Sequence, residues 1–188
     1  MTEACLTPPE GTARARRDAL AAALPVLETD RLILRAPRLE DWPALAPIWT
    51  TDRASHIGGP MSAEEAWLDF TQIVAGWLLR GHGGLTITAR ADGKVLGLVL
   101  LGFEWGDPEA ELGWLLTEAA EGHGYATEAA RALRDWGQDL LGPDGFVSYI
   151  STGHDASAAV ARRLGATLSG THPASDEVEV YRFAEART

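Results

Sequence analysis

Between residues 109 and 151 the hydrophobic pattern changes period twice, and that change restricts the fold more than any other stretch of the chain. Residues 109–117 read as a strand. From about 124 to 141, Ala126, Ala129, Leu133, Trp136 and Leu140 fall on one helical stripe. Gly142-Pro143-Asp144-Gly145 stops that helix, and 146–151 reads as a buried strand. Strand, helix and strand in this order make a β-α-β crossover. Upstream, strands at 85–91 and 94–103 flank an Asp92-Gly93 turn, the signal of an antiparallel hairpin. Hairpins in the first half and a crossover in the second call for a mixed α/β domain.

The remaining elements fit around that frame. Residues 27–36 read as a first strand with Leu32 and Leu34 on one face. Leu39-Glu40-Asp41 opens a short helix carrying Trp42, Leu45, Ile48 and Trp49, and Gly58-Gly59-Pro60 breaks the chain. Ser62 and Glu65 have capping-box spacing ahead of Trp67, Phe70, Val74, Trp77 and Leu78 at helical intervals, a face that reads as core. A short helix at 156–164 ends at Gly165, and strands at 166–171 and 177–183 follow. The expected order is β-α-α-β-β-β-α-β-α-β-β, a single domain over 25–188 behind a tail or loosely docked helix at 1–24.

Charge and cysteine usage exclude several functions. Against 16 Lys and Arg stand 27 Asp and Glu, a net charge of −11. Binding to nucleic acid or to an anionic membrane needs the opposite sign. One cysteine, Cys5, makes neither an internal disulfide nor a zinc site, and no metal is expected. No apolar run approaches the roughly 18 residues that span a bilayer, so the expected location is cytoplasmic.

The chemistry-bearing stretch is Glu111-Leu112-Gly113-Trp114-Leu115-Leu116-Thr117, followed by Glu121-Gly122-His123-Gly124-Tyr125-Ala126-Thr127-Glu128-Ala129. It is a strand, a loop with two glycines and the start of a helix. A helix start leaves backbone N–H groups unpaired and partially positive, and glycines let a phosphate approach them. No Lys-Ser/Thr follows the glycines, as a P-loop needs, and the third glycine of a dinucleotide fingerprint is missing. On these residues alone, a pyrophosphate cradle and an ordinary strand-to-helix turn both stand.

Gly-His-Gly-Tyr-Ala-Thr-Glu-Ala, entered from Glu-Leu-Gly-Trp-Leu-Leu, resembles the acyl-CoA-binding motif of the GNAT N-acetyltransferases, and within them the RimJ/RimL-like ribosomal-protein N-terminal acetyltransferases. Leu27-Glu28-Thr29-Asp30-Arg31-Leu32-Ile33-Leu34-Arg35 resembles that branch's opening strand, and the helix from Ser157 to Leu164-Gly165 its later one. The likeness spans about 26–184. It implies the GNAT fold, a mixed and mostly antiparallel sheet flanked by helices. In it the strands at 109–117 and 146–151 would be a splayed parallel pair holding acetyl-CoA. Pantetheine would pair with backbone groups of Trp114, Leu115, Leu116 and Thr117. Gly122, His123, Gly124, Tyr125, Ala126 and Thr127 would cradle the pyrophosphate, with His154 and Ser157 also at the cofactor.

The implied reaction is direct attack of a primary amine on the thioester. Glu111 and Glu104 are the leading candidate bases, each with the alternative of a solvated carboxylate at the sheet edge, and His56 and His123 stand behind them. The tyrosine with which many relatives protonate the thiolate is replaced by Ala161, and Ser157 matches the serine of this branch. Glu121 and His154 depart from the usual Gln or Arg and Asn, and Glu121 is expected to point outward. The acceptor is left open among a protein N-terminus, a metabolite amine and an aminoglycoside-type compound, with net acidity favouring a cation. Relatives often form homodimers. The rival from another class is a non-catalytic acyl-CoA sensor, and a Gly-rich NTP-binding domain is a third.

Overall fold

The computed structural model describes residues 3–142 and 145–183. Pro143 and Asp144 of the predicted helix stop therefore lie outside the described residues, as does the end of the predicted domain past 183. In chain order the elements are α1 (Gly11–Ala22), β1 (Leu27–Glu28), β2 (Leu32–Arg35), α2 (Trp42–Leu45), α3 (Pro47–Thr50) and α4 (Ala63–Arg80). There follow β3 (Gly84–Ala89), β4 (Val95–Gly102), β5 (Ala110–Leu116), α5 (Tyr125–Leu141), β6 (Phe146–Ser151), α6 (Asp155–Arg163), β7 (Ala166–His172) and β8 (Ser175–Phe183). The strands form one eight-stranded sheet in the order β1-β2-β3-β4-β5-β6-β8-β7. β5 and β6 are parallel, and every other neighbouring pair is antiparallel.

The predicted first strand at 27–36 is two strands that pair with each other. Thr29 makes the turn between them: its Oγ1 accepts the Leu32 N–H at 2.9 Å, and its own N–H donates to Leu32 O at 3.0 Å. A threonine side chain closes this turn, so neither glycine nor proline marks it. The predicted cap of α4 forms as read. Ser62 Oγ accepts the Glu65 N–H at 3.2 Å, and Glu65 accepts the Ser62 N–H at 2.8 Å.

Two apolar layers cover the sheet. On one face Trp42, Leu45, Ile48, Trp49, Ala66 and Phe70 pack over Leu98. On the other, α5 and α6 place Ala129, Leu133 and Ala161 over Leu101, Leu112, Phe146 and Ile150. Two expected core positions differ. Leu78 is 81% exposed because Trp77, one position earlier, turns inward and donates Nε1–H to Gly84 O at 2.7 Å. Leu140 is exposed, and Leu141, four residues past the buried Gly137, packs instead. Trp105 also lies fully in solvent.

Candidate active site

The site begins where two strands part. β5 and β6 register only at Ala110–Phe146 and Glu111–Val147, and then diverge. Ser148 Oγ still reaches Leu112 O at 2.6 Å. Backbone groups alternate sides along a strand. With Leu112 O turned toward β6, the N–H and C=O of Trp114 and Leu116 face the gap as well. The odd positions face β4, as the Thr117 N–H to Leu96 O bond of 2.9 Å confirms. Of the four residues expected to meet pantetheine, Trp114 and Leu116 thus offer backbone groups to the gap, while Leu115 and Thr117 turn theirs toward β4.

A cavity of about 950 Å³ occupies the parting and passes from one face of the sheet to the other. On the α5–α6 side it is lined by Gly122, Gly124, Ala126, Thr127, His154, Ser157 and Arg163. Gly122 and Gly124 have φ of +76° and +78°, a region that disfavours side chains. Helix α5 has no side-chain cap. Among the described residues, no protein acceptor takes a hydrogen bond from the backbone N–H groups of residues 122–127. The His123 and Tyr125 side chains are not in the cavity wall. Tyr125 lies under the Arg31 guanidinium at 4.7 Å, with the His123 ring 5.7 Å from it.

Glu121 is paired. Its carboxylate meets Arg53, whose Nη2 also donates to Leu116 O at 3.4 Å. Arg53 belongs to a 3₁₀ turn, Asp52–His56, that crosses the cavity mouth. At the far end of this turn His56 O accepts Ser151 Oγ at 2.7 Å, and the His56 ring stacks on His154 at 4.1 Å. Burial, then the neighbouring His56, lowers the His154 pKa. Ser157 makes no hydrogen bond to protein among the described residues. Ala161 is wholly buried beneath it, in the apolar layer.

On the opposite side of the sheet the cavity is acidic within apolar walls. Glu111, Glu104 and Asp69 converge there beside Ile48, Trp49, Ile57, Met61 and Ile73. Burial pushes Glu111 up to about 8, helped by Glu104 and Asp107 and partly offset by the Tyr149 backbone N–H. Glu104 stands at the rim; burial of its carboxyl, then Asp69 and Asp107, raise it. Asp69 is also raised by burial, although Trp49 Nε1 donates to it at 2.6 Å. No ion pair reaches any of these three carboxylates among the described residues. Beside them the Tyr149 Oη is buried without a hydrogen-bond partner among the described residues, and burial pushes its pKa up to about 12.

The structure therefore brings Glu111, Glu104, His56, His154, Ser157 and the glycine loop to one cavity, and adds Arg53, Asp69 and Tyr149. Asp69 alone had a signal in the sequence. It sits three residues after Ala66 and four before Ile73, a carboxylate on the inward side of a helix.

Residues 31–167 match the family described as Acetyltransferase (GNAT) domain. An acetyltransferase from Agrobacterium tumefaciens is 40% identical, with a TM-score of 0.82 over 87% of this chain and 96% of that one. A Salmonella typhimurium acetyl transferase that modifies the N-terminal serine of 50S ribosomal subunit protein L7/L12 is 22% identical. Its TM-score is 0.68 over 87% of this chain and 100% of its own. RimL, the ribosomal L7/L12 alpha-N-protein acetyltransferase, in complex with coenzyme A, is 23% identical over the same shares with a TM-score of 0.68. At the two lower identities the likeness is one of fold.

Proposed function

The chain belongs to the GNAT acetyltransferase family, and from that membership we propose that it transfers the acetyl group of acetyl-CoA to a cationic primary amine. One observation carries the reading. A sheet opens at a parallel pair, turns backbone groups of Trp114 and Leu116 toward the gap, and leads to a helix start without a side-chain cap. Acetyl-CoA fits these features in sequence. Its pantetheine amides find the free strand edge, and its diphosphate finds the N–H groups of Gly122, Gly124 and Ala126, where no Lys or Arg is needed. Ser157 stands beside the route as the donor to the departing sulfur.

The acceptor enters from the other face. An ammonium is attracted to Asp69 and Glu104, which form no ion pair among the described residues. Chemistry needs the neutral amine, so a proton must leave first. Glu111, pushed up to about 8, becomes the carboxylate that accepts it, directly or through water, as pH rises toward that value. The nitrogen then attacks the thioester carbonyl carbon, the new N–C bond forms, the C–S bond breaks with the electron pair on sulfur, and the second N–H proton passes to the thiolate, leaving the amide and the CoA thiol. Ser157 donates a hydrogen bond to that sulfur. The single free Cys5 suits the reducing interior of a cell.

Two measurements test this. Acetyl-CoA at one hundred times its Kd should stabilise the fold by about 2.7 kcal/mol, and ATP should not. CoA release should then appear with diamines or basic amines ahead of neutral or acidic ones. Absence of any thermal shift at millimolar acetyl-CoA would remove the reading. Binding without turnover across the amine panel would leave a sensor in its place.

A further inference from the structure

The hairpin that begins the sheet and the glycine loop are some ninety residues apart, yet one side chain joins them. Arg31 sits at the turn between β1 and β2. Its Nη1 donates to His123 O at 3.0 Å, and its guanidinium lies 4.7 Å above the Tyr125 ring. Its Nε and Nη2 meet Glu128 Oε2 at 2.7 and 2.6 Å. Glu128 is fixed in turn. Its other oxygen accepts Thr29 Oγ1 at 2.6 Å and the Arg31 backbone N–H at 3.1 Å.

Exposed ion pairs contribute little to stability on average, so this arrangement is better judged by what it orients. In a trans peptide the C=O and the following N–H lie in one plane and point opposite ways. Arg31 holds the His123 carbonyl on the outer side of the loop. The Gly124 N–H of the same peptide unit is thereby turned away from Arg31, toward the cavity that Gly124 lines. Without that tether the peptide is free to rotate, because its second residue is a glycine in the left-handed region and Gly122 precedes it.

We propose that Arg31, locked by Glu128 and Thr29, is a positioning residue that keeps the His123–Gly124 peptide turned so that its N–H meets the diphosphate of CoA. This rests on the acetyl-CoA reading above. Glu128 neutralises the guanidinium, so the residue acts through the peptide it holds and makes no phosphate contact itself. The opening hairpin is then part of the cofactor site, although it contributes no atom to the cavity wall.

The test compares wild type with Arg31→Ala and Arg31→Lys, using CoA and S-acetylpantetheine, which lacks the diphosphate. A hydrogen bond to a charged group is worth about a tenfold change in affinity. By calorimetry, Arg31→Ala should weaken CoA about tenfold and leave the affinity of S-acetylpantetheine within about twofold. KM for acetyl-CoA should rise by a similar factor, with a smaller effect on kcat. Hydrogen exchange across residues 122–127 should accelerate in the ligand-free protein, and Arg31→Lys, which keeps one donor, should fall between the two. Should Arg31→Ala fail to fold, Glu128→Gln loosens the same tether and should weaken CoA selectively. Equal weakening of both ligands, or unchanged CoA affinity and exchange, overturns the inference. Wild type that binds neither ligand overturns the acetyl-CoA reading instead.

Discussion

Replacing Glu111 by glutamine separates two consequences of burying a carboxyl at the point where β5 and β6 part. An ordinary glutamate titrates at 4.5, and the fold pushes Glu111 up to about 8. Below pH 4.5 the group is protonated whether the chain is folded or not, and it costs nothing. Above that value the unfolded chain releases the proton while the fold retains it, so stability falls as pH rises and levels off above about 8. At 1.36 kcal/mol per tenfold change in proton affinity, the ceiling is about 5 kcal/mol at pH 9. Water in the cavity screens part of this. In a chain of this length even 1 kcal/mol moves the thermal midpoint by about 2–4 °C. Glutamine keeps the shape and carries no charge at any pH. Glu111→Gln should therefore match wild type at pH 4 or below and melt at least 2–4 °C higher at pH 9, read from thermal denaturation without ligand. In the CoA-release assay wild-type kcat/KM should climb toward pH 8, and the variant should lose that rise with a drop of about a hundredfold or more. Parallel melting curves across the pH range would refute the buried-carboxyl argument. A retained pH limb in Glu111→Gln would assign the base elsewhere.

The other predictions concern the rest of the cavity. Ser157→Ala should lower kcat about tenfold while KM for acetyl-CoA stays within about twofold, since its hydroxyl is asked to act on the departing sulfur. Arg53→Ala leaves the Glu121 charge uncompensated beside the diphosphate site and should weaken CoA about threefold to tenfold. The double change Arg53→Ala with Glu121→Gln should restore most of the affinity in calorimetry. Asp69→Asn should raise KM for cationic amines about threefold at low salt, and the difference should shrink as ionic strength rises.

Much of this architecture is readable from local pattern. The Asp92-Gly93 turn and the β-α-β run each dictate their own strand pairing, and Ser62 with Glu65 marks the start of α4 from four residues alone. What escaped the sequence was long in range or carried by side chains. The β1–β2 turn is closed by a threonine hydroxyl, which leaves no glycine or proline to see. Arg53 answers Glu121 from sixty-eight residues away, and no spacing rule connects them. Glu111 was legible as a strand carboxylate and Glu104 as the end of the neighbouring strand; that strand stops at Gly102, against which Glu111 registers, and Glu104 follows two residues later. Their shared rise in pKa comes first from burial in the assembled cavity, to which Asp69 adds its charge from a helix on the far side.

The narrow junction of β5 and β6 also bears on how the molecule holds together. Two register pairs and the Ser148–Leu112 bond join a leaf of five strands to a leaf of three. Each leaf is laced internally, whereas the seam between them is short. A ligand threaded along Trp114 and Leu116 would supply the rungs that this ladder lacks, and so act as a splint. Cooperative units in proteins follow such lacing, and opening is easiest where it is sparse. In the free protein β6, β7 and β8 should breathe as a panel of their own, and with CoA seated the eight strands should open as one.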